Sequence, residues 1–299
     1  VNEAPSGTNA TVTITEDTAH ILTAANFGFS DVDAGDALSA VRIDTLPTAG
    51  TLTLSGTAVT AGQVITPADL AAGQLVFTPA ANANGTGYAR VAFSVRDSTS
   101  LYDPTPDTLT VNVTAVNDRP TDLSLSANTV AEHAANGTVV GTVTGSDPDA
   151  GDTKSYSLTN TAGGRFAINR TTGALTVANS TLLNYEAATS HAVTVRVTDR
   201  GGLTYDETFT INLTNVNEAP SGTNATVTIT EDTSHVLTAA NFGFSDVDAG
   251  DALSAVRIDT LPTAGTLTLS GTAVTAGQVI TTADLAAGQL VFTPAANAN

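Results

Sequence analysis

TFTINLT, residues Thr208 to Thr214, alternates without a break: Phe209, Ile211 and Leu213 fall on one side, Thr208, Thr210, Asn212 and Thr214 on the other. Successive side chains of an extended chain point to opposite faces, so this period of two predicts a half-buried β-strand. HAVTVRVTD (His191 to Asp199) sets Val193, Val195 and Val197 inward, and TLTVNVT (Thr108 to Thr114) does the same with Leu109, Val111 and Val113. ADLAAGQL (Ala68 to Leu75) has the length of one helical turn, and no long helix is expected. Thr and Val suit pleated surfaces, whereas the abundant Gly and Asn suit turns. Many short strands at regular spacing predict an all-β protein built of Greek-key β-sandwiches.

An internal repeat organises the chain. Val1–Asn84 recurs as Val216–Asn299, and over those 84 positions only three differ: Ala19 becomes Ser234, Ile21 becomes Val236 and Pro67 becomes Thr282. VNEAP at Val1–Pro5, VNDRP at Val116–Pro120 and VNEAP at Val216–Pro220 punctuate the sequence at intervals of 115 and 100 residues, each the size of one sandwich. The expected domains are 1–117, 118–215 and 216–299. The third repeats the first but stops before counterparts of YARVAFSVRD (Tyr88 to Asp97) and TLTVNVTAV (Thr108 to Val116). It should therefore fail to close a sandwich alone, because an edge and a core face stay open.

Charge narrows the function. The 299 residues carry 10 Lys plus Arg against 29 Asp plus Glu, a net charge of −19. Nucleic-acid binding needs a basic surface and is not expected; cations suit this balance. With no Cys there is no disulfide, thiolate metal site or thiol nucleophile. With no Met, the chain reads as an internal fragment whose signal or anchor would lie elsewhere. No run of 18 apolar residues is present.

The acids are clustered. SDVDAGD stands at Ser30–Asp36 and Ser245–Asp251, and SDPDAGD at Ser146–Asp152. A lone acid follows the first strand of each unit, as in ITED (Ile14 to Asp17) and VAEH (Val130 to His133). Another ends the penultimate strand at Asp97 and Asp199. Asp-Gly loops are common solvated turns, but threefold recurrence with companions points to a shared ligand. The pattern is not an EF-hand: counting from Asp31, position 6 is Asp36 rather than Gly and position 12 is Arg42 rather than Glu.

The middle segment resembles a bacterial cadherin domain over nearly its whole length. The resemblance rests on VAEHAANGTVVGTV (Val130 to Val143), SDPDAGD, YSL (Tyr156 to Leu158), GRFAINRTTGALTV (Gly164 to Val177), LNYE (Leu183 to Glu186), HAVTVRVTDRGG (His191 to Gly202) and NVNEAP (Asn215 to Pro220). Through ITED, SDVDAGD, GQLVFTP (Gly73 to Pro79) and FSVRD, the flanking units are similar to the cadherin-like tandem repeats of large bacterial surface adhesins.

The resemblance implies elongated tandem sandwiches with Ca²⁺ held where one domain meets the next. At the first junction it implies Glu16, Asn117, Asp118, Asp147, Asp149 and Asp199. At the second it implies Glu132, Glu186, Asn217, Glu218, Asp246 and Asp248, and at the upstream end Asn2, Glu3, Asp31, Asp33 and Asp97. Two departures are visible: Asn184 stands in LNYE where the family usually has Asp, and the linkers open with Ala115 and Asn215 rather than Asp. The absence of Trp removes the tryptophan-anchored strand exchange of animal cadherins.

Other chemistries are weaker. His20, His133, His191 and His235 lack zinc-ligand spacing and are assigned structural roles, and no G-x-S-x-G elbow occurs. Paired acids could serve glycoside hydrolysis, yet a catalytic centre seldom recurs at every linker, so no enzyme is expected. The expected function is a calcium-rigidified extender and adhesion region on a bacterial cell surface or in a secreted protein. Its partners would be calcium ions, neighbouring domains, and a cell-surface protein or glycan. The alternative is a direct carbohydrate- or protein-binding module, for which Phe27, Phe29 and Tyr102 are the candidate platform.

Overall fold

The computed structural model describes residues 1–297; Ala298 and Asn299, the last two residues of the third repeat segment, lie outside them. The chain is all-β. Its α-helix consists of two five-residue turns, Pro67–Ala71 and Thr282–Ala286, among the described residues. Each is held by its cap and by one core leucine, Leu70 or Leu285. Asp69 N–H donates to Thr66 Oγ1 at 3.1 Å while Thr66 N–H donates to Asp69 Oδ2 at 2.9 Å, a reciprocal capping box.

The chain divides into two compact units, one of residues 1–124, 144–155 and 196–206, the other of the described residues 125–143, 156–195 and 207–297. In the first, a five-stranded sheet orders Ala10–Thr15, Asp107–Thr114, Gly85–Arg96, Ala40–Ile43 and Gln63–Ile65. A four-stranded sheet orders His20–Ile21, Leu75–Thr78, Thr51–Leu54 and Thr57–Ala58. The predicted alternation decides what lies between them. Leu109, Val111 and Val113 pack inward with Val41, Val91, Phe77 and Phe93, all buried. Phe27 meets Phe93 edge-to-face with centroids 5.0 Å apart, a geometry that adds about 0.5–1.5 kcal/mol to their burial. Strand Ala10–Thr15 runs parallel to Asp107–Thr114, with Ala10 opposite Leu109 and Thr15 opposite Thr114.

The second unit holds two cores. In one, Val130, Val140, Phe166, Leu175, Val193 and Ile211 pack together, with Phe209 partly buried beside them. Here Thr129–Ala131 pairs in parallel with Thr204–Thr214, setting Thr129 opposite Asn212, and Phe166–Ile168 pairs antiparallel with Ala174–Val177. The other core belongs to the third repeat segment and contains Ile258, Leu267, Ile280 and Leu290.

Identical residues behave differently in the two repeat copies. Ala10–Thr15 is a strand; the same ATVTIT at 225–230 is not, and Val227 is 39% exposed. Ala40–Ile43 sits inside the five-stranded sheet, whereas among the described residues Ala255–Ile258 forms a two-stranded sheet with Gln278–Thr281. Phe27 and Val41 are fully buried, while Phe242 and Val256 are only half-buried. In the first segment Ala10–Thr15 is the sheet's edge, laddered to Asp107–Thr114, and Gly85–Arg96 pairs with Ala40–Ile43. Among the described residues no counterparts of those two strands accompany the third segment.

Candidate metal centres

Within the first unit, ITED ends a strand. Glu16 N–H donates to Thr114 O at 3.0 Å, prolonging the parallel ladder. The next residue turns sharply: Asp17 has φ 57°, the left-handed region that costs a non-glycine residue strain. That turn leaves the Glu16 carboxylate 2% exposed, accepting the Val116 N–H at 2.6 Å on Oε1 and the Asn84 side-chain amide at 2.9 Å on Oε2. The linker then delivers Asn117 and Asp118. Asp118 N–H donates to Asp149 Oδ2 at 2.8 Å, and Asn117 Nδ2 donates to Asp199 Oδ2 at 2.9 Å. The loop SDPDAGD folds on itself, with Asp149 N–H donating to Asp147 Oδ1 at 2.9 Å. Gly201 permits the approach of the linker, since a Cβ there would run into the Asn117 carboxamide.

All six residues expected at the first junction therefore join one network, and one oxygen each from Glu16, Asp118 and Asp149 lies within 4.8 Å of the others. Burial pushes the Asp118 carboxyl up, and the charges of Asp17, Asp149, Glu16 and Asp147 push it further. Asp147 Oδ2 is buried with no donor.

The second unit repeats the scheme with different residues. Glu132, 1% exposed, accepts the Tyr185 N–H at 2.7 Å and the Val216 N–H at 2.8 Å. Glu218 N–H donates to Asp248 Oδ2 at 2.8 Å, and Asp248 N–H donates to Asp246 Oδ1 at 3.0 Å. Oxygens of Glu186, Glu218 and Asp248 converge within 4.8 Å. Burial, then Glu132, Asp248 and Glu186, raise the Glu218 carboxyl, and its Oε2 is buried without a donor. Burial also pushes Glu132 up, but the Tyr185 and Val216 amides with His133 outweigh it and hold it below the usual range. The Asn217 amide donates to Glu218 O at 2.8 Å, as Asn117 does to Asp118 O at 3.1 Å.

The upstream set forms a third version. Asn2 Nδ2 donates to Asp97 Oδ2 at 2.9 Å, Glu3 N–H to Asp33 Oδ2 at 2.8 Å, and Asp33 N–H to Asp31 Oδ1 at 2.8 Å. Asp31 Oδ2, which holds the same place in SDVDAGD as Asp147 Oδ2 in SDPDAGD, is again buried without a donor. Burial raises Asp97, but hydrogen bonds from Asn2, Leu101 and Thr99 outweigh it, so its carboxyl stays below the usual range.

Several participants were not anticipated. Asn84 and Asp17 belong to the first network; Asp17 Oδ1 accepts the Asn82 N–H at 2.8 Å. Asn215, noted only as a departure from Asp, donates to Asp248 Oδ1 at 2.8 Å. His133, assigned a structural role, has Nε2 3.0 Å from Glu218 Oε1 and 3.7 Å from Glu132 Oε2. It shares with Asp17 a left-handed backbone, φ 53°, directly after the buried glutamate. That position was the available signal in the sequence. Asn184 turns away, its Oδ1 accepting the Ala187 N–H at 2.6 Å. Of the candidate platform residues, Phe27 is core, Phe29 is partly buried against the same core, and Tyr102 lies under the Arg42 guanidinium, 4.5 Å from its ring centroid.

Hard divalent cations take carboxylate and carbonyl oxygens, six to eight for Ca²⁺. Apart from the His133 imidazole, the donors in these networks are oxygens. A buried carboxylate oxygen without a donor loses its hydration and gains nothing in return. Asp31, Asp147 and Glu218 each hold one beside further carboxylates, so the residues fit such an ion.

Residues 127–230 match the cadherin-domain family model. This cadherin-domain stretch contains Glu132, His133 and the linker Asn215–Glu218. Human cadherin-related family member 2 is 35% identical over 116 residues, covering 37% of this chain and 9% of that protein's own length. The fold is shared with protocadherin gamma B2 extracellular cadherin domains 1–5, at a TM-score of 0.60 and 16% identity over 99% of this chain and 54% of that one. Mouse cadherin-23 EC22–24 gives a TM-score of 0.56 and 19% identity over 99% of this chain and 90% of that one. Among the described residues no helix is long and apolar enough to cross a membrane.

Proposed function

We propose that the chain is a calcium-binding, calcium-rigidified extender and adhesion region of a large bacterial surface or secreted protein. The observation that carries this reading is the buried, donorless carboxylate oxygen in each of three networks: Asp31 Oδ2, Asp147 Oδ2 and Glu218 Oε2. Glu16, Asp118, Asp147, Asp149, Asp199 and the Asn117 amide would hold calcium at the first linker. Glu132, Glu186, Asn217, Glu218, Asp246 and Asp248 would do so at the second, and Asn2, Glu3, Asp31, Asp33 and Asp97 upstream. The ion supplies positive charge where Asp118 and Glu218 are crowded by like charges. The chain's own residues fix the linker: Glu16 and Glu132 hold the Val116 and Val216 amides, and Asp149 and Asp248 hold those of Asp118 and Glu218. An ion that draws these carboxylates together stiffens the linker between them.

Calorimetric titration with calcium, combined with protease cleavage at 115–120 and 215–220, tests the reading. Saturable binding that slows cleavage, and that is reduced in the Asp147→Ala/Asp149→Ala variant, is expected. Cleavage that ignores calcium overturns the stiffening role, and absence of heat overturns the site.

A further inference from the structure

We propose that Glu132, His133 and Glu218 form a site for a divalent cation of the zinc class, selected by an imidazole where the other networks offer oxygens. The proposal goes beyond the calcium reading: Glu132 and Glu218 serve in both, but zinc binding here needs no calcium. All three residues belong to the second unit, and one ligand atom from each lies within 4.8 Å of the other two. His133 Nε2 stands 3.0 Å from Glu218 Oε1 and 3.7 Å from Glu132 Oε2. Two ligands of one tetrahedral zinc ion, each about 2.0–2.2 Å from it, are about 3.4 Å apart. The two observed separations bracket that value.

Each ligand is placed by other contacts and keeps a free lone pair. The Glu132 side chain is fully buried, and its two oxygens accept one amide each, from Val216 and Tyr185. Glu218 Oε2 is buried and accepts from no donor. The His133 side chain is 48% exposed, which gives the ion a path in and leaves room for water to complete its shell. The ion replaces the proton between His133 Nε2 and Glu218 Oε1, and that proton leaves to solvent. Imidazole suits zinc, cobalt and nickel, whereas calcium takes oxygens. The two linkers differ at just this place. At the first, the residue after the buried glutamate is Asp17, in the same left-handed backbone, φ 57° against 53° for His133. Asp17 acts on the linker acid Asp118 as His133 does on Glu218, but with oxygen instead of nitrogen. Zinc should therefore sort to the second linker.

The test titrates the full chain with zinc chloride in calcium-free buffer, by calorimetry and by NMR of the four imidazoles. One zinc ion should bind more tightly than any other, and its binding should shift the His133 resonances ahead of those of His20, His191 and His235. His133→Asp gives the second linker the residue that the first carries in the same backbone conformation, so the fold is kept. That variant should lose at least about tenfold in its tightest zinc affinity, since even residues behind a ligand cost that much. Its calcium isotherm should not weaken. Absence of zinc binding, tight zinc binding that survives His133→Asp, or shifts shared equally among the four histidines each overturns the proposal. Failure of calcium to bind leaves these zinc results intact and counts only against the calcium reading.

Discussion

The backbone N–H of Asp118 lies 2.8 Å from Asp149 Oδ2. Glu218 and Asp248 repeat the bond at 2.8 Å, as do Glu3 and Asp33. In each case the second acid of an S-D-x-D loop accepts from the linker residue that follows Asn. The linker backbone is thus placed by the carboxylates themselves, and each of those oxygens has a second lone pair to offer.

Asp147→Ala/Asp149→Ala removes the acceptor of the Asp118 amide along with two negative charges. Calcium affinity at the first site should fall at least about tenfold, equivalent to about 1.4 kcal/mol. Binding at the second site should be unaffected, because its ligands are separate residues. Calorimetry on the variant separates the two.

Glu16→Ala and Glu231→Ala change the same residue of the repeat. Glu16 is 2% exposed and holds the Val116 N–H, whereas Glu231 is exposed. Removing a buried acceptor leaves that N–H unpaired at a cost of about 1–3 kcal/mol, while an exposed change stays within about 0.5 kcal/mol. Denaturant unfolding of the two variants in chelator should show this asymmetry.

Acidification should act in opposite directions with and without calcium. Asp118 and Glu218 are raised above the usual carboxylate range. A group raised in the folded state contributes stability below its unfolded pKa and loses it as pH rises through its folded value. In chelator, thermal stability should therefore increase as pH falls from 7 towards about 5. Below that range Asp97, Glu132 and Asp248, all held low in the fold, lose their contribution as they protonate. With saturating calcium the first trend should invert, since protons compete for the same oxygens. Melting curves across pH in the two buffers check both signs.

Gly201→Ala should weaken the first site without touching the second. The added methyl meets the Asn117 carboxamide, and the backbone at Gly201 is not left-handed, so the effect is steric. A calcium isotherm in which only one site weakens would bear this out; an unchanged isotherm would not.

The strands and acid clusters were legible because they are local. Val193, Val195 and Val197 alternate within one segment, and all three are fully buried. Glu16, Asp118 and Asp149 belong to short motifs that recur. What could not be read was non-local. Asn84 reaches Glu16 across 68 positions, and nothing in ANAN marks it as a partner. The fate of ATVTIT was equally hidden, since the same six residues are a strand at 10–15 and not at 225–230. Its local propensity is constant; at 10–15 it pairs with 107–114, nearly a hundred positions away, and that pairing is invisible in the six residues themselves. His133 fell between the two cases: its place in VAEH was plain, but its contact with Glu218, 85 residues away, depends on the linker's path.

The parallel pairing of Ala10–Thr15 with Asp107–Thr114 has a mechanical consequence. Tension applied at the start of the first strand and the end of the last pulls two parallel strands past each other lengthwise. Their ladder of hydrogen bonds is then loaded in shear and must give way together, rather than opening rung by rung like a zip. Thr129–Ala131 with Thr204–Thr214 is strung the same way. Each such pairing would resist stretching through its backbone, whatever its carboxylates hold.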